Sequence, residues 1–407
     1  MKILVLNAGS SSQKSRLYEI VDQPSSTTPT PLWAADTSWT PKKGVAELKV
    51  TANGQTITQE LPTEELSNII EQMLKTLWSG ETRVISQPTD IDIVGHRVVH
   101  GGPHYHQSVL ITPDVKAEIQ HLASFAPLHN PENLKGIEAV ERILSNIPQV
   151  AVFDTAYHSH LPQETMVYPG PYNWFEQGIR RYGFHGISHQ YCARRSAQIV
   201  GRDLKSLRIV NCHLGNGCPL AAIRAGQSID TTMGFTPLEG LMMGTRSGSI
   251  DPSILLYLQR EHSYSAAQLD QILNKESGLK GISGVSGDMR EVLQATKEGN
   301  QRAKLALSIY VYRLRYFIGA MIASLAGIDV LTFTGGVGEN SSEVRAETCE
   351  AFSFLGLQLD EGKNATSPPD QDIATPESAV RVLIVHTEED WEIARECWHI
   401  KAIKQSA

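Results

Sequence analysis

Apolar and polar positions along this chain follow two periods, and the switches between them mark its elements. Residues 3–6 (ILVL) are apolar without a break, as in a strand covered on both faces. A polar turn, GSSSQ, interrupts them, and KSRLYEI resumes as a second strand. Segment 22–60 is polar, with Pro- and Thr-rich pieces and a turn at Ala52-Asn53-Gly54, and predicts further short strands and loops. Leu66, Ile69, Ile70, Met73, Leu74 and Leu77 recur at helical spacing and predict a helix over 63–79. A strand follows at IDIVGHRVVH, helices at 113–125 and 131–146, and a buried strand at QVAVFDTA.

A second cycle opens near 207. LRIVNCHLGNGCPLAAIRAG is again strand, glycine-polar turn, strand, and VNCHLGNGCP echoes VLNAGSSSQK in pattern more than in letters. Helices at 251–260 and 303–326, the strand DVLTFTG, the turn GVGEN and another helix come next. Segment 361–379 has the composition of a surface loop, and AVRVLIVHT is the last strand before a final helix. The repeat predicts two α/β domains, each opening with a hairpin shaped for phosphate, with a nucleotide in the cleft between them.

Length agrees: 407 residues exceed what one hydrophobic core serves. The net charge is −8 with both signs interspersed. That argues against a nucleic-acid partner and gives no reason for a membrane one, yet leaves anionic small molecules open. The first apolar run is too short for a signal-peptide core. The longest apolar stretch, around YVYRLRYFIGAMIASLAG, carries Arg313 and Arg315 and reads as a buried helix, not a membrane span. The five cysteines are scattered without a C-x-x-C pair. They suit a reduced, cytoplasmic setting as small core residues.

Several short stretches carry candidate chemistry. NAGSSSQK is no Walker A loop, but its glycine, its serines (Ser10, Ser12) and Lys14 are donors suited to a polyanion, and Asn7 could orient a metal-bound water. GHRVVHGGPHYH packs four histidines without a carboxylate or cysteine among them. A zinc site is the weaker reading there, and Arg97, meeting a carboxylate or phosphate with its fork, the stronger. Asp154 in AVFDTAYH, at a strand's C-terminal end, suits magnesium or a proton role, or merely caps the next element. In RRYGFHGISH, Ser188 is the expected helix N-cap, and His185 sits just ahead, where an anion would sit. HLGNG (His213, Leu214, Gly215, Asn216, Gly217) and GGVGEN (through Gly336, Val337, Gly338, Glu339 and Asn340) fit backbone cradling of phosphate, the second by opening a helix. Arg246 in MGTRSGSIDP is a second anion-binding arginine, and Glu388 and Glu389 stand at a helix start, where acids complement the dipole. Together these suit phosphoryl transfer, which is mostly positioning and charge neutralisation.

Taken in order, N-x-G-S-S-S-x-K, G-H-R-V-V-H-G-G, F-D-T-A-[FY]-H, R-R-Y-G-F-H-G-x-S-H, H-L-G-N-G, T-P-L-E-G-L-M-M-G-T-R-S-G, T-G-G-V-G-E-N and the terminal E-E resemble the acetate kinase family over nearly the whole chain. The resemblance implies a duplicated actin-like (ribonuclease H-like) two-domain α/β fold with ATP in the interdomain cleft. The divisions would be 1–154 with 389–407, and 155–388. It implies magnesium (manganese as a substitute) on Asn7 and Glu389, with Glu389 ahead of Glu388. It implies ATP or ADP against Lys14, Ser10, Ser12, His213 to Gly217, Asp288, Met289, Arg290 and Gly336 to Asn340. Arg97 and Arg246 would bind carboxylate and phosphoryl group, His185 would stabilise the transition state, and Asp154 would be the catalytic carboxylate. Val99, Leu128 and Pro237 would wall the acyl pocket. The partners implied are acetate, ATP and a second copy in a homodimer. Propionate or butyrate as acceptor, pyrophosphate as donor, and an actin-like filament or ATP-gated binding protein without transferase activity are the rival readings. The chain departs from the family at Ser15, at Cys218-Pro219 after HLGNG, and at Ser249.

Overall fold

The structure, a computed structural model, describes all residues but 10, 11, 43, 64, 65, 127, 128 and 407, and leaves the side chains of 40–42 and 403–406 undescribed. Ser10 and Leu128 of the expected site therefore lie outside the described residues. Two compact units result, Met1–Ser159 with Glu388–Ala407, and His160–Thr387. The first division follows Ser159 and not Asp154. Thr155 Oγ1 accepts from the Gly101 amide at 3.0 Å, and Ser159 Oγ donates to the His106 carbonyl at 3.3 Å, so this segment is tied to the first unit.

The first unit's sheet contains β1 (Lys2–Ala8), β2 (Ser12–Glu19), β3 (Trp33–Lys42), β4 (Val45–Ala52), β5 (Gln55–Pro62), β6 (Ile93–Val98), β7 (Val109–Leu110) and β8 (Gln149–Phe153). Their order is β5-β4-β3-β2-β1-β6-β8-β7. β1, β2 and β3 pair antiparallel, while β6 and β8 add in parallel. The unbroken ILVL run sits fully buried in the middle of this sheet. Segment 22–60 forms longer strands than its composition suggested. VAELKVTA alternates buried and exposed residues, and Asn53 and Gly54 take φ of 54° and 75°, the left-handed pair of a two-residue hairpin.

The second unit's sheet has β9 (Arg208–His213), β10 (Leu220–Arg224), β11 (Gln227–Thr231), β12 (Val330–Thr334), β13 (Gln371–Asp372) and β14 (Arg381–Ile384), ordered β11-β10-β9-β12-β14-β13. The run β11-β10-β9-β12-β14 repeats β3-β2-β1-β6-β8: three antiparallel strands, then two parallel. The expected duplication is thus in the topology.

Two expectations need correction. Segment 361–379 is not all loop: Glu361–Thr366 is a helix whose cap, Asp360, accepts from the Lys363 amide, and Gln371–Asp372 pairs with β14. Its Asn364 is buried because Arg345 needs it, donating to Asn364 Oδ1 at 2.8 Å. The helix Gln301–Leu325 is long and apolar enough to cross a membrane by length and composition, but it is buried on one face only. Leu305, Tyr312 and Tyr316 are 54%, 64% and 58% exposed on the other, where tyrosine hydroxyls and arginines reach water. All five cysteines are free and buried, as expected.

The C-terminal helix Glu389–Ser406 completes the first unit. Trp391 is 1% exposed, edge-on to Tyr18 at 5.2 Å between ring centroids. The helix passes so close to β6 that a Cβ on Gly95 would lie 2.5 Å from Cys397 Sγ, which is why glycine stands there.

Two histidines of the first unit are held neutral by burial, which pushes both His96 and His100 down to about 4. The unfolded chain, with histidines near 6.5, takes up protons first as pH falls. Each should therefore cost about 2 kcal/mol of folding stability between pH 7 and pH 5. Urea unfolding at the two pH values should show this loss, and His96→Gln should lose about 2 kcal/mol less over the same interval than the parent. A stability unchanged between pH 7 and 5 would refute the assignment.

Candidate active site

Sequence brings Asn7, Arg97 and Asp154 to the C-terminal ends of three adjacent strands, β1, β6 and β8. Arg97 and Asp154 meet as a fork. Nε donates to Oδ1 and Oδ2 at 3.1 Å each, and Nη2 to Oδ2 at 2.6 Å. Asp154 is 1% exposed. So Arg97 is already bound to an acid, the very carboxylate expected beside it in the reaction. Burial works against its charge, yet Asp154, then Glu389 and Asp390, hold its pKa above the usual arginine value.

Asn7 links this pair to the C-terminal helix. Its Nδ2 donates to Glu389 Oε2 at 3.1 Å and to Asp390 Oδ1 at 2.8 Å, and its Oδ1 accepts from Arg97 Nη1 at 3.4 Å. Asp390 is the residue that the sequence pattern missed. It is 6% exposed, with Arg16 Nε 3.7 Å away. Burial pushes its pKa up, against Arg16 and Asn7, which favour the charged form. The three acids at this helix start therefore do more than complement its dipole. The Glu389 and Asp390 carboxylates are hard oxygen donors of the kind magnesium takes, while Asn7 turns its Nδ2 to them and its Oδ1 to Arg97. Lys14 lies opposite Asn7 across the β1–β2 hairpin, and both it and Ser12 are exposed.

The second unit gathers the glycine turns. His213 on β9 pairs with Thr334 on β12, so HLGNG and GGVGEN, which follow those strands, lie side by side. Leu214 accepts from the Val337 amide at 2.8 Å and donates to Thr334 O at 2.8 Å. Gly335 has φ of 78°, and a Cβ there would sit 2.9 Å from Leu214's carbonyl, so both conformation and space demand glycine. GGVGEN is itself a six-residue helix, Gly335–Asn340, not a turn before one. Its N-terminus is not an open anion site. The Gly335 amide donates to Glu339 Oε1 at 2.9 Å, and Glu339 Oε2 is 2.6 Å from His386 Nδ1.

The helix after RRYGF starts earlier than expected, at Gly186, with His185 as N-cap in the left-handed region at φ 56°. Ser188 does not cap it. It is buried in the first turn, its Oγ 2.8 Å from His213 Nδ1 and 2.9 Å from Thr387 Oγ1. The strained His185 backbone lays its ring on that of His213, with centroids 4.6 Å apart and planes 25° from parallel. Gly217 is the opposite wall, since a Cβ there would be 2.8 Å from His185 Nε2.

Arg246 is half-buried. Its Nη1 donates to the Pro237 carbonyl at 3.0 Å, and no acid pairs with it among the described residues. Burial lowers its pKa, with no carboxylate among the opposing causes. Arginine stays charged regardless, so this is a cation short of an anion. Asp288 and Arg290 instead pair with each other at 2.5 Å, Arg290 almost fully exposed. Val99 and Met289 are buried.

A sequence profile described as the Acetokinase family matches residues 2–395. The chain belongs to the acetokinase family. It is 61% identical over 401 residues to an acetate kinase of Cyanothece sp., with 98% of each chain covered. It is 60% identical over 402 residues to an acetate kinase of Nostoc punctiforme, with 98% of this chain and 99% of the relative covered. The crystal structure of Porphyromonas gingivalis acetate kinase superposes with a TM-score of 0.88 at 41% identity, covering 98% of this chain and 99% of that one. That of a Francisella tularensis propionate kinase gives 0.88 at 36%, with the same coverage.

The departures from the acetokinase pattern are accommodated locally. Ser15 is buried and accepts from Gln13 Nε2 at 3.1 Å. Cys218 Sγ donates to the Gly215 carbonyl at 3.3 Å, and the Pro219 carbonyl accepts from His213 N at 3.0 Å, so the pair closes the turn. Ser249 Oγ accepts from the Gly240 amide at 3.0 Å.

In this acetokinase the Gly217 wall yields a direct test. Gly217→Ala should displace the His185 ring and lower kcat by roughly tenfold to a hundredfold, with melting temperature within a few degrees of the parent. A full-rate Gly217→Ala enzyme would show that the ring's position is immaterial.

Proposed function

We propose that this chain is an acetate kinase, transferring the γ-phosphoryl group of ATP to acetate to give acetyl phosphate and ADP, reversibly. Arg246 carries the reading: a half-buried guanidinium without an acid is a ready partner for a carboxylate or a phosphoryl group. Family membership, with relatives named acetate kinase at about 60% identity, selects the reaction.

An acetate oxygen attacks the γ-phosphorus in line; the new O–P bond forms as the bond to the ADP oxygen breaks. Acetate, with a pKa close to that of side-chain carboxyls, is ionised at neutral pH, so no base need deprotonate it. What opposes the step is anion meeting anion. Arg246 and Arg97 offset that repulsion, with His185 donating to the equatorial oxygens. Asp154 does not transfer a proton in this scheme; it keeps Arg97 aimed. Val99 and Pro237 flank the methyl group. Lys14 and the HLGNG turn take the nucleotide phosphates, Gly336 to Asn340 line the nucleotide without offering their helix start to an anion, and Asp288 to Arg290 take the nucleoside end. Asn7 and Glu389 would hold magnesium, which when bound neutralises phosphate charge.

Hydroxylamine trapping of acyl phosphate from Mg-ATP should give the highest kcat/KM with acetate, ahead of propionate and butyrate. Arg246→Ala should cut kcat by roughly 10³-fold, as loss of an arginine that meets transition-state charge does. A loss below about tenfold removes that role. Absence of any acyl phosphate from folded protein that binds ATP would overturn the assignment.

We further propose a cytoplasmic homodimer. Its support is the exposed apolar residues on two helices of the second unit: Leu256 and Tyr257, 57% and 52% exposed, on one, and Leu305, Tyr312 and Tyr316 on the other. The parent should sediment as a dimer and Tyr312→Glu/Tyr316→Glu as a monomer; a doubly substituted protein that stays dimeric places the interface elsewhere.

A further inference from the structure

The first unit contains a pocket whose wall, Arg97 excepted, consists of residues that the proposed reaction leaves without a role. Leu6 on β1 and His96 on β6 are register partners, and both line it, with Trp39, Leu66 and Ile69 supplying further apolar wall. Its volume is about 270 Å³. Val99 and Pro237, the residues given to the acyl group, do not line it.

Three polar side chains on its wall are almost wholly buried: Gln13 at 4%, His96 at 4% and Asn133 at 6% exposed. Each has one polar group bonded and one left over. Gln13 Nε2 donates to Ser15 Oγ at 3.1 Å, leaving Oε1. Asn133 Oδ1 accepts from the Val99 amide at 3.1 Å, leaving Nδ2. His96 Nε2 lies 2.6 Å from Gln149 Oε1, leaving Nδ1. None of these three atoms has a partner among the described residues. The residues that carry these three groups line one largely apolar space, which leaves spare donors and acceptors on its wall. Burial pushes His96 down to about 4, so the ring is neutral and its free nitrogen accepts.

Gly136 is the second sign. It lines the pocket from the interior of the helix Asn130–Ile143, where glycine is less stable than alanine. A Cβ there would meet nothing within 4 Å, so packing does not require glycine. What its absence of side chain does is keep the space open. The charges nearby are already answered: Arg97 by Asp154, and Glu132 by Lys135 at 2.8 Å.

We propose that this pocket is an effector site for an uncharged planar molecule of about ten non-hydrogen atoms, apolar in body, with an N–H donor for His96 or Gln13 and an acceptor for Asn133. Ala8, Gly9 and Gln13 reach it from the hairpin that carries Lys14, so an occupant braces that turn and changes the KM for ATP. The kinetic part rests on the proposed reaction; the binding part does not.

The probe is 7-azaindole, followed by ligand-observed NMR with the whole chain. Saturable binding is expected with a dissociation constant on the order of 1 mM, the affinity usual for so small a ligand. Gly136→Leu should weaken it at least about tenfold, and Gly136→Ala about threefold, while acetate-dependent activity stays within about twofold of the parent. Should Gly136→Leu not fold, Gly136→Ala alone decides. No saturable binding by the parent up to about 20 mM, binding unaltered by the substitutions, or displacement of the probe by acetate would each overturn the proposal.

Discussion

A buried positive charge organises the first unit. Arg97 cannot stay ionised where it is without acids around it, since moving a guanidinium out of water costs far more than one hydrogen bond returns. Asp154 meets it as a fork, and Asn7 relays the field of Glu389 and Asp390. Three strand ends and one helix start must therefore be in register before the cation is tolerated. The arrangement that makes Arg97 stable also fixes its direction, so the orientation that the proposed reaction needs is set by folding.

The second unit solves the opposite problem. Its turns provide room, and Arg246 has no acid paired with it among the described residues. Glycine stands at 217 because the His185 ring occupies the space of a Cβ, and at 335 because Leu214's backbone does. One unit thus presents a neutralised cluster and the other an unanswered cation, from two copies of the same strand order. The topology accounts for where Asn7, Arg97 and Asp154 fall, at the ends of β1, β6 and β8, but not for Arg246, which lies in the segment between β11 and the helix Ser253–His262.

Much of this was readable from residue patterns. The period of apolar positions located most helices and strands, and the glycine turns were recognised as such. What the pattern missed was local competition for hydrogen bonds. Ser188 has the chemistry of an N-cap, but His213 and Thr387 claim its hydroxyl, and the helix begins at His185's left-handed backbone. GGVGEN has the look of an anion-binding start, but Glu339 folds back onto it. Asp390 was hidden among adjacent acids whose ordinary explanation, the helix dipole, sufficed. In 361–379 a polar composition hid a helix that exists to bury Asn364 against Arg345. Each case depends on a partner distant in sequence, which spacing alone does not carry.

The C-terminal helix belongs with strands made almost four hundred residues earlier, Asn7 and Asp390 being 383 positions apart. During synthesis, the whole of His160–Thr387 leaves the ribosome before that helix does. The second unit can close its own core first, reversing the usual N-to-C order of domain folding. Until Trp391 arrives to cover Tyr18, the first unit waits with an unfinished face, a natural holding site for a chaperone.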